Sequence, residues 1–153
     1  LVIGLLTEQL AVVAVFTLSF MVLRSYTGGY HSDSRIFCYL GSNLVLLVPV
    51  YTQAVFYKTS LAWLLAVLLV SAGIIFLLSP MHSKNRKLDK EEQKHFGRKA
   101  RLIAALELAV LGILWHAGQI PYAYAVYTGI CITALFMLVG KAQLWIQSHT
   151  ENG

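Results

Sequence analysis

The chain has 153 residues, 58% of them apolar and 12% charged, with a formal net charge of +5 and a mean hydropathy of +0.67. Soluble domains carry about a quarter charged residues, so this composition excludes an ordinary water-soluble globule and marks an integral membrane protein. Eight of the twelve Lys and Arg residues fall between Lys84 and Arg101, a placement beside apolar runs that points to anionic lipid at the cytoplasmic face and away from nucleic acid.

The expected fold class is all-α, a polytopic membrane helical bundle. The length allows about five spans of ~20 residues and leaves no room for a separate soluble domain. Residues 1–23 make the first span, interrupted by Thr7, Glu8 and Gln9. It has no basic start and no small-residue cleavage site before Arg24, so it reads as a transmembrane helix and not as a secretory signal. Glu8 is cheapest near an interface or against another helix, the alternative being a direct functional role. The chain begins with Leu1 and not Met, and a preceding segment is expected.

A polar motif loop, 24–38, follows, and then an uncharged run over 36–57 in which Pro49 should introduce a kink. Residues 61–79 are the cleanest span, uncharged throughout, with Trp63 near one end and Pro80 just past the other. The basic stretch 81–101 reads as a loop with a short helix from Asp89 to Lys99. Spans 102–118 and 120–140 close the bundle, joined by a turn near Gly118, Gln119 and Pro121. Placing the basic loop in the cytoplasm makes the first helix run inward, so that Arg24 to Arg35 and Lys141 fall on the same side and Lys58 faces out. There is no internal repeat and no heptad pattern. Both cysteines, Cys38 and Cys131, lie in or beside apolar runs, where a disulfide framework is not expected.

Chemistry concentrates in the motif loop, Arg-Ser-Tyr-Thr-Gly-Gly-Tyr-His-Ser-Asp-Ser-Arg-Ile-Phe-Cys over 24–38. A cysteine becomes a nucleophile as its thiolate, favoured by a nearby imidazole or by a helix N-terminus. Ser32, Asp33 and Ser34 are good N-cap residues, so a helix starting among them sets Cys38 in its first turn. On one continuous helix, His31 would lie roughly 10 Å from Cys38, too far for a hydrogen bond. His31 must therefore fold back, and Gly28 and Gly29 supply the freedom for that turn. Asp33 is the nearest carboxylate able to orient the imidazole. The plainer reading of such a pair is a small apolar Cys and a solvated interfacial His. Cys131, His82, His95 and His116 carry no comparable signal.

The string Arg24-Ser-Tyr-Thr-Gly28-Gly29-Tyr-His31, with Cys38-Tyr39 after it, resembles the signature of the accessory gene regulator protein B (AgrB) family. These are membrane peptidases that process quorum-sensing propeptides in Gram-positive bacteria. The resemblance continues through a hydrophobic hairpin, a Ser79-Pro80 helix end, a basic loop with Lys84, Arg86 and Lys87, and a final hydrophobic pair. It implies a multi-pass cell-membrane enzyme with its active site on the cytoplasmic side and an AgrD-like propeptide as substrate. Cys38 would be the nucleophile and His31 the general base and later acid. Cleavage would leave a thioester on Cys38, which a Cys or Ser of the peptide then attacks to close a thiolactone or lactone. Arg24 and Gly29 match the family motif, Arg24 serving either a substrate carboxylate or structural pairing. Oxyanion donors are open.

Lys84, Arg86 and Lys87 either bind the acidic C-terminal part of the propeptide or only set topology and touch membrane lipid. No metal is expected, since His31 and Cys38 lack further ligands at usable spacing. No cofactor is expected either, because nothing resembles a nucleotide-binding loop. The oligomeric state is open, a homodimer being one option. Two other classes compete with the peptidase: a small polytopic transporter or peptide-export permease built on Glu8 and Glu107, and a non-catalytic lipid-binding subunit.

Overall fold

A computed structural model describes residues 9–27, 44–79 and 90–150 of the chain. Every element in these stretches is helical. Five helices follow in order: α1 (Leu10–Thr27), α2 (Leu44–Lys58), α3 (Leu61–Leu78), α4 (Lys90–His116) and α5 (Ile120–Thr150). Among them, Leu10–Thr27, Leu61–Leu78 and Ile120–Gln143 are long and apolar enough to cross a bilayer. The chain is thus a membrane helical bundle.

The helices form because apolar runs of this kind have only one way to satisfy their backbone in lipid, by hydrogen bonds within the segment. Hydroxyls inside the spans follow the same rule: Thr17 donates to the Val13 carbonyl at 2.6 Å, Thr128 to Tyr124 at 2.8 Å and Thr133 to Gly129 at 2.8 Å. The α4–α5 connection is tight. Gly118 adopts φ 72°, a left-handed conformation open to glycine at no steric cost, and Gln119 donates its N–H back to the Leu114 carbonyl at 2.9 Å.

Consecutive helices run in opposite directions. At one end of the bundle Leu23 of α1, Ile75 of α3, Ala104 of α4 and Met137 of α5 meet in one buried cluster, and Arg101 Nε donates to the Phe76 carbonyl at 3.2 Å. At the other end Phe56 of α2 packs against Trp115 of α4 and against Tyr124 and Tyr127 of α5. Arg24, Arg98, Lys99, Arg101 and Lys141 belong to the first end and Lys58 to the second. This is the charge asymmetry expected of a membrane protein.

Two boundaries differ from the sequence reading. Residues 90–101, read as part of a basic loop with a separate short helix over 89–99, are the first turns of one continuous α4. Lys, Glu, Gln, Arg and Ala all favour helix and no proline intervenes, so the charged turns continue the helix through Gly97, where the chain is buried. Likewise α5 does not stop near 140 but continues to Thr150, because Lys141, Ala142 and Gln143 are helix formers too. The kink expected from Pro49 is felt one turn later, as a bend at Thr52. Pro49 itself is buried.

Candidate functional site

The site anticipated from sequence follows α1, and the structure defines how the end of that helix is anchored. Of the motif residues only Arg24 is described; Gly28, Gly29, His31, Asp33 and Cys38, and also Lys84, Arg86, Lys87, Glu8 and His82, lie outside the described residues.

Arg24 occupies the last full turn of α1. Leu23 beside it is fully buried in the main core cluster, and Thr27 one turn on is fully buried too. The Thr27 hydroxyl donates to the Leu23 carbonyl at 3.0 Å and that of Ser25 to the Met21 carbonyl at 2.7 Å. Both are bonds of a side chain to the carbonyl one turn back, which satisfy the hydroxyls locally within the helix. The Arg24 guanidinium lies over two rings, with its carbon 5.5 Å from the centroid of Phe20 and 4.8 Å from that of Phe136 on α5. Both are within the range of cation–π attraction, roughly 0.5–2 kcal/mol per contact depending on desolvation. A delocalised planar cation suits such a place better than an ammonium, being less strongly hydrated and able to lie flat on a ring.

Deeper in the bundle a second polar junction joins three helices. The Ser19 hydroxyl of α1 donates to Glu107 Oε2 of α4 at 2.6 Å, across 88 residues of sequence. α5 allows this approach because Gly129 has no side chain there: a Cβ at that position would fall 2.5 Å from Ser19 Oγ and 3.2 Å from Ser19 Cβ. Glu107 was singled out in the sequence as an intramembrane carboxylate, and its described partner is a serine on the helix that leads into the motif loop.

α2, on the other side of the loop, is also tied to α5. The Tyr124 hydroxyl donates to the Pro49 carbonyl at 2.9 Å and lies 2.6 Å from Thr52 Oγ1, which reaches back to the Val48 carbonyl at 2.8 Å. Proline and the bend at Thr52 disturb the α2 ladder, and Tyr124 supplies a donor at that point. The described helices before and after the motif residues, α1 and α2, thus both pack on α5.

Cys131, His95 and His116 are among the described residues. Cys131 is half-buried on α5. It borders a cavity of about 390 Å³ with Thr52, Trp63, Tyr124 and Thr128. His116 is exposed and lines a second, mostly apolar cavity of about 310 Å³ beside Phe56 and Trp115. His95 is exposed on the first turns of α4. Among the described residues, no group of three or more His, Cys, Asp or Glu could hold a metal ion. Phe20, Phe136, Ser19, Gly129 and Tyr124 carried no signal in the sequence, since an aromatic or small residue in an apolar run looks like any other.

Comparison with known proteins bears on this arrangement as a whole. No solved structure matches the chain. A protein named accessory gene regulator protein B, from Staphylococcus intermedius, is 26% identical over 121 residues. That match takes in 79% of this chain and 62% of the relative, so the chain spans about three-fifths of the length of the protein it resembles. The family model of accessory gene regulator B matches residues 1–138, which include the whole motif loop, the basic loop and the three-helix junction. The chain therefore belongs to the accessory gene regulator B family.

Proposed function

We propose that this protein is a membrane cysteine endopeptidase that processes the propeptide of a quorum-sensing signal, in a Gram-positive bacterium. The observation that carries the reading is the family match through residues 24–38, where Arg24, Gly28, Gly29, His31 and Cys38 stand in the order this chemistry needs. The clustering of Arg24, Arg98, Lys99, Arg101 and Lys141 at one end of the bundle supports a cytoplasmic location for that loop.

In this reading His31 takes the proton from Cys38, and the thiolate attacks the scissile carbonyl of the propeptide. The tetrahedral intermediate collapses as His31 returns the proton to the leaving amine, which releases the C-terminal fragment and leaves a thioester on Cys38. A Cys or Ser side chain within the retained peptide then attacks the thioester, expelling the Cys38 thiolate and closing a thiolactone or lactone ring. The thioester conserves acyl activation that hydrolysis would waste, and a site at the membrane interface limits access of water to it. Arg24, Gly28, Gly29 and Asp33 support the loop, and Lys84, Arg86 and Lys87 receive the acidic part of the propeptide.

The test is intact-mass analysis of the purified protein in liposomes after incubation with a candidate AgrD-like propeptide. An acyl adduct on Cys38, absent from Cys38→Ala and His31→Ala, is the expected result. Cleavage that persists in Cys38→Ala would remove the reading at its centre.

A further inference from the structure

α3 and α4 meet closely at one end of the bundle and part at the other. Near the Arg- and Lys-rich end, Ile75 of α3 and Ala104 of α4 lie in the same buried cluster, and Arg101 of α4 holds the Phe76 carbonyl of α3. Toward the other end a cleft of about 310 Å³ separates them, lined on α3 from Leu61 to Leu68 and on α4 from Leu108 to His116, with Phe56 and Tyr127 behind. Phe56 and Leu111, at its floor, are buried, whereas Leu61 and Leu65 on one rim and Gly112 on the other are exposed. The cleft therefore opens sideways, out of the bundle. Gly112 adds to the opening: a Cβ there would have no atom within 4 Å.

Chemistry, depth and width together select what fits this space. The side chains lining it are apolar, with polar atoms only on the Trp115, His116 and Tyr127 rings, and buried water needs about three hydrogen bonds per molecule, so water is a poor occupant. From Leu108 to His116 the cleft runs along eight residues of helix, or ~12 Å. That is most of the depth of one leaflet, ~15 Å as half of the ~30 Å hydrocarbon core. Over this length, about 310 Å³ gives a cross-section of roughly 25 Å², against roughly 80 Å² for a helix of ~10 Å diameter. A second helix does not fit, and a single unbranched chain does. An engineered apolar cavity of ~150 Å³ accepts one benzene, so twice that volume holds roughly a dozen carbon atoms. Trp115 and His116 at the mouth are amphipathic rings of the kind that sit at headgroup level.

We propose that this cleft is a binding site for one acyl chain of a phospholipid, drawn from the leaflet at the end of the bundle opposite the Arg and Lys cluster, with its headgroup beside Trp115 and His116. Moving a chain from lipid to an apolar wall gains nothing by the hydrophobic effect; the chain is retained by close packing against protein on three sides. The site goes beyond the peptidase reading and does not depend on it.

The experiment uses the full chain reconstituted in liposomes of equal parts phosphatidylglycerol and phosphatidylcholine, transferred to a non-ionic detergent and measured by native mass spectrometry. After loosely held lipid has been stripped, the wild type should keep one phospholipid per chain. Gly112→Leu, whose side chain enters the cleft with nothing in the way of its Cβ, should lose that adduct. Gly73→Leu, at an equally open glycine of α3 that does not line the cleft, should keep it. Leu65→Trp fills the same space from α3 and takes the place of Gly112→Leu should that variant lose its helical circular dichroism. In a second arm the phosphatidylcholine carries a diazirine in mid-chain. Crosslinks should concentrate at Leu65, Leu108 and Gly112 over the lipid-exposed Leu69, Leu102 and Ile113, and the excess should vanish in Gly112→Leu. A wild type without adduct, an adduct unchanged in both filling variants, or crosslinks spread evenly over exposed positions overturns the inference. So does lipid loss in Gly73→Leu as well, which would make the adduct ordinary surface lipid. Loss of a dimer instead of a lipid in Gly112→Leu would overturn it too, giving the cleft to a second copy of the chain.

Discussion

α3 and α5 reverse the order that a soluble protein would show. α3 is uncharged and apolar along its whole length except for Ser71, yet only 11% of it is buried, against 67% of the span in α5. α5 is the more polar of the two, with Tyr124, Tyr127, Thr128, Gly129, Cys131 and Thr133 along its middle turns. In water the most apolar helix goes inside, because burial removes it from solvent. In a bilayer the lipid tails are as apolar as leucine, so that force is absent between helices. Association is instead driven by close packing of small residues and by polar groups that find no partner in lipid. α5 is central because it offers both, and α3 is peripheral because lipid suits it as well as protein does.

Substitutions on α5 should therefore cost more than substitutions on α3, and the largest effect is expected at Gly129. In Gly129→Ala the new Cβ meets Ser19 Oγ and forces that side chain to turn away from Glu107, at a cost of about 1–3 kcal/mol. The cost should shrink in a Ser19→Ala background, where the obstructing atom is gone. Thermal unfolding of the four members of this cycle in detergent measures it, and equal costs in both backgrounds would mean that Ser19 is not what Gly129 accommodates.

The next effect is at the junction itself. Ser19→Ala and Glu107→Ala each remove one partner of a polar pair between spans and should lower stability by roughly 1 kcal/mol, non-additively in the double variant. Glu107→Gln keeps an acceptor for Ser19 and should be milder. If Glu107→Gln instead abolished function while Cys38→Ala left it intact, the transporter reading would replace the peptidase.

Tyr124→Phe removes the donor to the Pro49 carbonyl and the contact with Thr52 while keeping the ring against Phe56. It should cost about 1 kcal/mol and loosen α2 selectively, seen as faster amide exchange around residues 49–53 than elsewhere in the bundle. The smallest effect should be on α3. Leu69 and Leu77 are exposed at 72% and 84%, and conversion of either to Val should change stability by less than about 0.5 kcal/mol in a lipid bilayer. A large loss there would mean that α3 faces protein and not lipid.

The sequence by itself determined the membrane class, the helical fold, the order of the helices and the end of the bundle that carries the positive charge. These follow from composition, from run length and from the placement of Lys and Arg, which are properties of short stretches and of the solvent. It also singled out the motif segment and, through that segment, the family. Helix ends were less legible. The charged turns of α4 and the tail of α5 continue their helices, because polar helix formers leave no break where the bilayer stops. What only the tertiary structure decided is which residues meet: Arg24 with Phe136, Ser19 with Glu107 over Gly129, and Tyr124 with Pro49. These pairings join distant stretches through residues that look ordinary in place, and in a membrane the hydrophobic pattern does not reveal them. An apolar stripe there marks lipid as readily as it marks a neighbouring helix.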